Sequence, residues 1–212
     1  MRRTLVMLAL CACHAHVALA ATEPVAKADP AKGQSIASQV CAACHGVDGN
    51  SAIPNNPKLA GQVAEYLQKQ IANFKAAAGK KAERENPVMA GMVASLSVED
   101  ARNVAAYYAG QRAGSGVSKG EATLALGRRI WRGGDAPKGL PACAACHGAA
   151  GTGLPAQYPR LAGQHPEYTE AQLKAFRSGE RRNDAGGAMQ SIAAKMSDAE
   201  IRAAADYVAG LR

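Results

Sequence analysis

The sequence predicts an all-α protein built as two tandem helical domains, and three observations carry that reading. A block of sequence recurs along the chain, both copies close on the same helix-start signal, and no stretch alternates as a half-buried strand would. Cys41-Ala42-Ala43-Cys44-His45-Gly46 returns as Cys143-Ala144-Ala145-Cys146-His147-Gly148, an offset of 102 residues. The same offset carries Pro57-Lys58-Leu59-Ala60-Gly61-Gln62 onto Pro159-Arg160-Leu161-Ala162-Gly163-Gln164. It also carries Tyr66, Gln70 and Phe74 onto Tyr168, Gln172 and Phe176. Farther on the offset shortens to 100, so that Ser97, Arg102 and Tyr107 meet Ser197, Arg202 and Tyr207. Homologous domains explain this pattern; chance does not.

Residues 1–20 read as a secretory signal, with Arg2 and Arg3 as its positive start, an apolar stretch from Leu5, and Ala18-Leu19-Ala20 as the cleavage site. That stretch is shorter than the roughly 20 apolar residues a bilayer span needs. An uncleaved anchor and a lipid-modified Cys13 are the weaker alternatives. Export to an oxidising compartment follows.

The first domain is expected over 21–112. Its first helix runs from Pro30 to the Cys pair with Gly33 and Ile36 on one face, places matched by Gly127 and Ile130. A middle helix covers Val63 to Ala77, where Tyr66, Ile71 and Phe74 form an apolar face, and Pro166 to Arg177 in the copy. The last helix opens on Ser97-Val98-Glu99-Asp100, matched by Ser197-Asp198-Ala199-Glu200. Both are capping boxes, a hydroxyl on free N–H groups with an acid three residues on. Residues 113–118, with Ala113-Gly114-Ser115-Gly116, read as a short flexible linker, and the second domain follows over 119–212.

Charge and composition narrow the function. The formal charge of +8 drops to +6 when Arg2 and Arg3 leave with the signal, and the basic residues are interspersed with acids. Nucleic-acid binding is therefore a poor reading. Aromatic residues are only 4% of the chain, thin for two small cores, and a large apolar cofactor in each would supply the missing area.

Cys11 and Cys13 lie in the signal, which leaves Cys41, Cys44, Cys143 and Cys146. Cysteines two residues apart put both sulfurs on one side of a helical turn, where they can add to the two vinyl groups of a haem. The next residue, His45 or His147, then points at the iron, and this is the c-type haem attachment pattern. Two haems bring four propionates, which take the net charge near +2 before iron is counted. A zinc tetrad, thioredoxin-like redox pairs and plain disulfides compete. The spacing, the lack of a βαβ pattern and the two unexplained histidines weigh against them in turn.

The sixth iron ligand separates a carrier from an enzyme, since a Met on the open side leaves no place for substrate. Met89 and Met189 each lie eight residues before the matched serines, whereas Met92 faces Ile192 and Met196 faces Leu96. The first pair is therefore the ligand candidate, and Met92 and Met196 read as exchangeable core residues. His165 has Val63 as its counterpart and reads as a surface or helix-start residue. The neighbourhoods of Pro57 and Pro159 are expected to hydrogen-bond the histidines.

With these residues in place, the chain resembles the cytochrome c₄ family, periplasmic dihaem electron carriers. The matching pieces are the two Cys-Ala-Ala-Cys-His-Gly motifs, Gly46-Val47-Asp48-Gly49-Asn50-Ser51, the Pro-x-Leu-Ala-Gly-Gln segments, Gly163-Gln164-His165 and the Met-to-Ser stretches. The resemblance implies two class I cytochrome c folds facing one another, ligation by His45/Met89 and His147/Met189, and transient electron transfer as a monomer, not catalysis. Its implied partners are a quinol-oxidising bc-type complex and a terminal oxidase. Three other readings stand beside it: an electron-accepting subunit of a dehydrogenase such as a flavin-linked sulfide dehydrogenase, a dihaem peroxidase, and a non-redox zinc or disulfide protein. Lys80, Lys81 and Arg84, with Arg177, Arg181 and Arg182, occupy matching loops and would steer acidic partners, or form a solvated face.

Overall fold

The computed structural model describes residues 27–77 and 79–212, so the expected signal at 1–20 lies outside the described residues. Each half opens with a helix that leads to the Cys pair. Asp29 caps α1 (Pro30–Ile36), its carboxylate accepting from the Ala31 and Lys32 amides, with Pro30 preset for the first turn. The chain then passes through one π-helical stretch, Ala37–Cys41, into α2 (Ala42–His45). The first half continues with α3 (Ala64–Asn73), α4 (Pro87–Val93) and α5 (Val98–Ala109). The second half repeats the plan as α6 (Glu121–Gly133), α7 (Ala144–His147), α8 (Pro166–Ser178), α9 (Ala188–Ala194) and α10 (Asp198–Ala209). Among the described residues there is no strand, only isolated bridges, and no helix is long and apolar enough to cross a membrane.

The matched serines start α5 and α10 as reciprocal capping boxes, as the sequence predicts. The paired glycines set the helix packing. A Cβ on Gly33 would lie 2.0 Å from the Asn103 carbonyl oxygen in α5, and one on Gly127 would lie 2.3 Å from that of Ala203 in α10. Without side chains there, α1 presses against α5 and α6 against α10. Leu67, Val104 and Tyr108 form the core of the first half, and Ile130, Leu140, Met196 and Ile201 that of the second.

The middle helix of the first half is shorter than expected. α3 ends at Asn73, whose carbonyl is taken by the Arg84 amide as the chain doubles back, 2.9 Å away. The apolar face also differs. Leu67, Ile71 and Phe74 enter the core, whereas Tyr66, Gln70 and Asn73 turn toward the other half.

That second face builds the joint between halves. The Gln62 side chain accepts from the Arg160 amide at 2.7 Å and donates to the Arg160 carbonyl at 2.9 Å. Gln164 does the same to Lys58, at 2.9 and 3.0 Å. Arg84 lies over Phe74 and donates to Gln70, Gln172 and the Tyr168 hydroxyl. Arg181 lies over Phe176 and donates to Gln172, Gln70 and the Tyr66 hydroxyl.

The segment expected to be flexible is instead fastened on both sides. Asn50 holds Arg112 and Gly114. Asp206 in α10 accepts from the Lys119 and Gly120 amides and from the Ser118 and Thr123 hydroxyls. Gly116 fits because a Cβ there would lie 2.5 Å from the Ala209 carbonyl oxygen.

Candidate functional site

The two short helices α2 and α7 place the same four chemical groups in each half. Cys41 and Cys143 are half-buried and lie against the cores; Cys44 is exposed and Cys146 intermediate. No disulfide joins the cysteines of either pair among the described residues. Burial pushes the Cys143 thiol up to about 11 and also raises that of Cys41. A reactive dithiol has a lowered thiol, and the shift at Cys41 and Cys143 runs the other way. Among the described residues no three His, Cys, Asp or Glu side chains gather as metal ligands.

His45 and His147 are buried, and Nδ1 of each lies 2.9 Å from a proline carbonyl oxygen, Pro57 and Pro159 respectively. A carbonyl only accepts, so Nδ1 carries the proton and Nε2 is left with its lone pair, without a partner among the described residues. Burial holds both imidazoles below their usual value, against the opposing pull of the proline carbonyl, and so keeps them neutral. A neutral imidazole with a fixed ring and a free Nε2 is ready to ligate a metal. The expectation that the proline neighbourhoods hydrogen-bond the histidines is met, and the acceptors are the proline carbonyls themselves.

Surroundings differ between the halves. The Trp131 ring centroid lies 6.5 Å and that of Tyr158 6.1 Å from His147, and Trp131 Nε1 donates to the Ala149 carbonyl. In the first half Ala37 stands where Trp131 does. Arg160 Nε, beside the Pro159 carbonyl that holds His147, is buried without a hydrogen-bond partner. An anionic edge such as a haem propionate fits that need.

Met89 and Met189 are half-buried near the starts of α4 and α9. The Asn86 side chain caps α4 by accepting from the Met89 amide at 2.9 Å; Asp184 accepts from the neighbouring Gln190 amide at 3.1 Å. Met196 is core, as expected. Met92 is not: it is 42% exposed, because it points away from the side of α4 that carries Val93 into the core.

Sequence reasoning missed what His165 does. It starts α8, and its Nε2 lies 2.8 Å from the Ser51 carbonyl oxygen in the other half. Ser51 Oγ in turn donates to the Cys44 carbonyl. In the basic loops Lys80, Lys81 and Arg182 are exposed, as a solvated face would be, but the other three cations are engaged. Arg84 and Arg181 are committed to the joint, Arg177 pairs with Asp198, and Lys81 and Arg182 flank Glu85. The glutamines recurring at Gln70 and Gln172, one turn beyond the recurring Tyr66 and Tyr168, were the available signal for the joint.

These findings agree with comparison to known proteins. The cytochrome c family model matches residues 30–109 and again 127–212. Cytochrome c4 of Azotobacter vinelandii is 45% identical over 192 residues, which cover 88% of this chain and 90% of that one. A thiosulfate dehydrogenase electron acceptor of Stutzerimonas stutzeri is 40% identical, covering 84% of this chain and 82% of its own. The crystal structure of reduced recombinant cytochrome c4 from Pseudomonas stutzeri has a TM-score of 0.83 at 41% identity, over 88% of this chain and 100% of that one. The chain therefore belongs to the cytochrome c family, as a dihaem electron-transfer protein of the cytochrome c4 type whose halves each bind one c-type haem covalently.

Proposed function

We propose that Cys41, Cys44, His45 and Met89 would hold one haem, the cysteines as thioethers and His45 and Met89 as iron ligands, and that Cys143, Cys146, His147 and Met189 would hold the other in the same way. When bound, each haem supplies a one-electron iron couple, raised in potential by a thioether ligand. The carrying observation is the pair of buried, neutral histidines, each oriented by a proline carbonyl and each with Nε2 free. The chain's own groups do the rest. The proline carbonyls fix the rings, the cores exclude water, and the Met side chains close the remaining iron positions to substrate, so the protein is a carrier and not an enzyme.

On this reading the protein works as a monomer in the periplasm, its signal removed near Ala20, its domains 21–112 and 119–212. It shuttles single electrons from a bc-type quinol-oxidising complex toward a terminal oxidase, associating only briefly with each. A second reading has an observation of its own. A relative named as a thiosulfate dehydrogenase electron acceptor supports service as the electron-accepting partner of a dehydrogenase.

The test is an optical spectrum of the reduced holoprotein before and after carbon monoxide. Two low-spin haems that ignore the gas support both Met assignments. A haem that binds it exposes an open iron and brings the peroxidase reading forward.

A further inference from the structure

The fold leaves one concentration of charge unspent. Several surface cations meet an acid: Lys32 with Glu99, Lys119 with Glu167, Lys174 with Glu170, Arg177 with Asp198. Arg128, Arg129 and Arg132 do not. All three are exposed on α6, and none forms an ion pair among the described residues, not even with nearby Asp135. Arg128 and Arg132 are one helical turn apart and repel each other; the negative end of the helix favours Arg132 in the last turn, but calls for no cluster of three.

The repeat supplies an internal control. The matching positions in the first half are Gln34, Ser35 and Ser38. Both serine hydroxyls there turn back onto their own helix, to the Ala31 and Gln34 carbonyls. The inner side of α6 carries Trp131, buried and packed near His147. The three arginines therefore form the outer face of the helix whose inner face rests on the second histidine.

We propose that Arg128, Arg129 and Arg132 form the docking face for an acidic protein partner, so that electrons are exchanged with that partner through the second half; this rests on the carrier reading above. Unpaired cations keep their field, which steers an oppositely charged surface into contact. A membrane surface is the less suited occupant. Ile130 and Trp131 are fully buried, and none of the exposed large hydrophobic side chains among the described residues lies on α6, so the helix has nothing to insert.

The experiment is stopped-flow reduction of the oxidised holoprotein by an acidic flavodoxin at a series of ionic strengths. The donor's flavin loses one electron and one haem iron gains it. The triple variant Arg128→Gln, Arg129→Gln, Arg132→Gln is compared with Lys27→Gln, Lys80→Gln, Lys81→Gln in the first half. We expect the α6 variant to lose about tenfold in rate at low salt with a flattened salt dependence, and the control to stay within about twofold. Reduction by photoreduced lumiflavin, a small donor that needs no docking face, stays equal in all three. Failure of the parent to accept an electron from lumiflavin would sink the carrier reading itself. Equal losses in both variants, or none in the α6 variant, overturn the docking face alone. So does an α6 variant that keeps its flavodoxin rate but no longer sediments with phosphatidylglycerol vesicles.

Discussion

Replacing Asp206 by Asn tests whether the segment between the halves is held by charge or only by shape. The carboxylate of Asp206 collects four donors: the Ser118 hydroxyl at 2.7 Å, the Lys119 amide at 2.5 Å, the Gly120 amide at 3.3 Å and the Thr123 hydroxyl at 2.5 Å. An amide of the same shape keeps one acceptor and turns an NH₂ group toward donors, whichever way it is placed. A hydrogen bond to a charged acceptor is worth about 1.5–3 kcal/mol. The four share one carboxylate and are not additive, so the expected loss is about 3 kcal/mol in all. For a protein of this size that is roughly 6–12 °C in Tm.

The pH dependence carries a second check. Burial pushes the Asp206 carboxyl up, but the hydrogen bonds from Lys119, Thr123, Ser118 and Gly120 outweigh it and hold the group below its usual value. A depressed folded pKa means the stabilisation is complete above the unfolded value, about 4, and is lost as pH falls through the folded one. Guanidinium denaturation of both holoproteins, followed by far-ultraviolet circular dichroism, should therefore show a constant deficit from about pH 5 to 8 that fades at lower pH. Equal midpoints at pH 7 would refute the argument. So would a deficit that persists undiminished in acid.

Other contacts in the fold lead to outcomes of their own. Gly127→Ala drives a Cβ into the Ala203 carbonyl and should cost about 1–3 kcal/mol by denaturation, whereas Gly133→Ala on the same helix meets nothing within 4 Å and should be neutral or slightly stabilising. Met89→Ala and Met189→Ala should each let one haem bind carbon monoxide, while Met92→Ala leaves the spectrum unchanged, as its 42% exposure requires. Arg181→Met strips a shared donor from Tyr66 and Gln172 and should cost about 2 kcal/mol, with faster proteolysis within residues 111–120 as the readout of a loosened joint.

The chemistry of the site was legible because it is local. Two cysteines and a histidine within five residues must share one helical turn, and a recurring proline at a fixed distance marked the carbonyl that holds the ring. The capping boxes at Ser97 and Ser197 were legible for the same reason. What stayed hidden depends on contact between distant residues. Tyr66 fits an apolar helical face by spacing, yet its hydroxyl meets Arg181, 115 residues away. Gln62 and Gln164 appeared as repeated letters, but repetition reports common descent, not that each copy grips the other. The linker looked free because Gly and Ser allow freedom; it is fixed because Asp206 and Asn50 lie where no local pattern points to them.

The joint between the halves has the form of an isologous contact, in which a patch meets its own copy. Gln62 reads the backbone at Arg160 while Gln164 reads it at Lys58, and Arg84 and Arg181 exchange the same partners. Each half thus carries both sides of the joint, and the covalent connection serves to hold two self-complementary subunits at high effective concentration. Since the glutamines bind main chain, the side chains at 58 and 160 were free to diverge to Lys and Arg without disturbing the fit. Contacts without a mirror image, such as His165 on Ser51 where Val63 and Gly153 stand opposite, give an otherwise two-fold molecule its polarity. An assembly of two identical subunits has no distinct donor and acceptor ends; a joined pair that has diverged this way does.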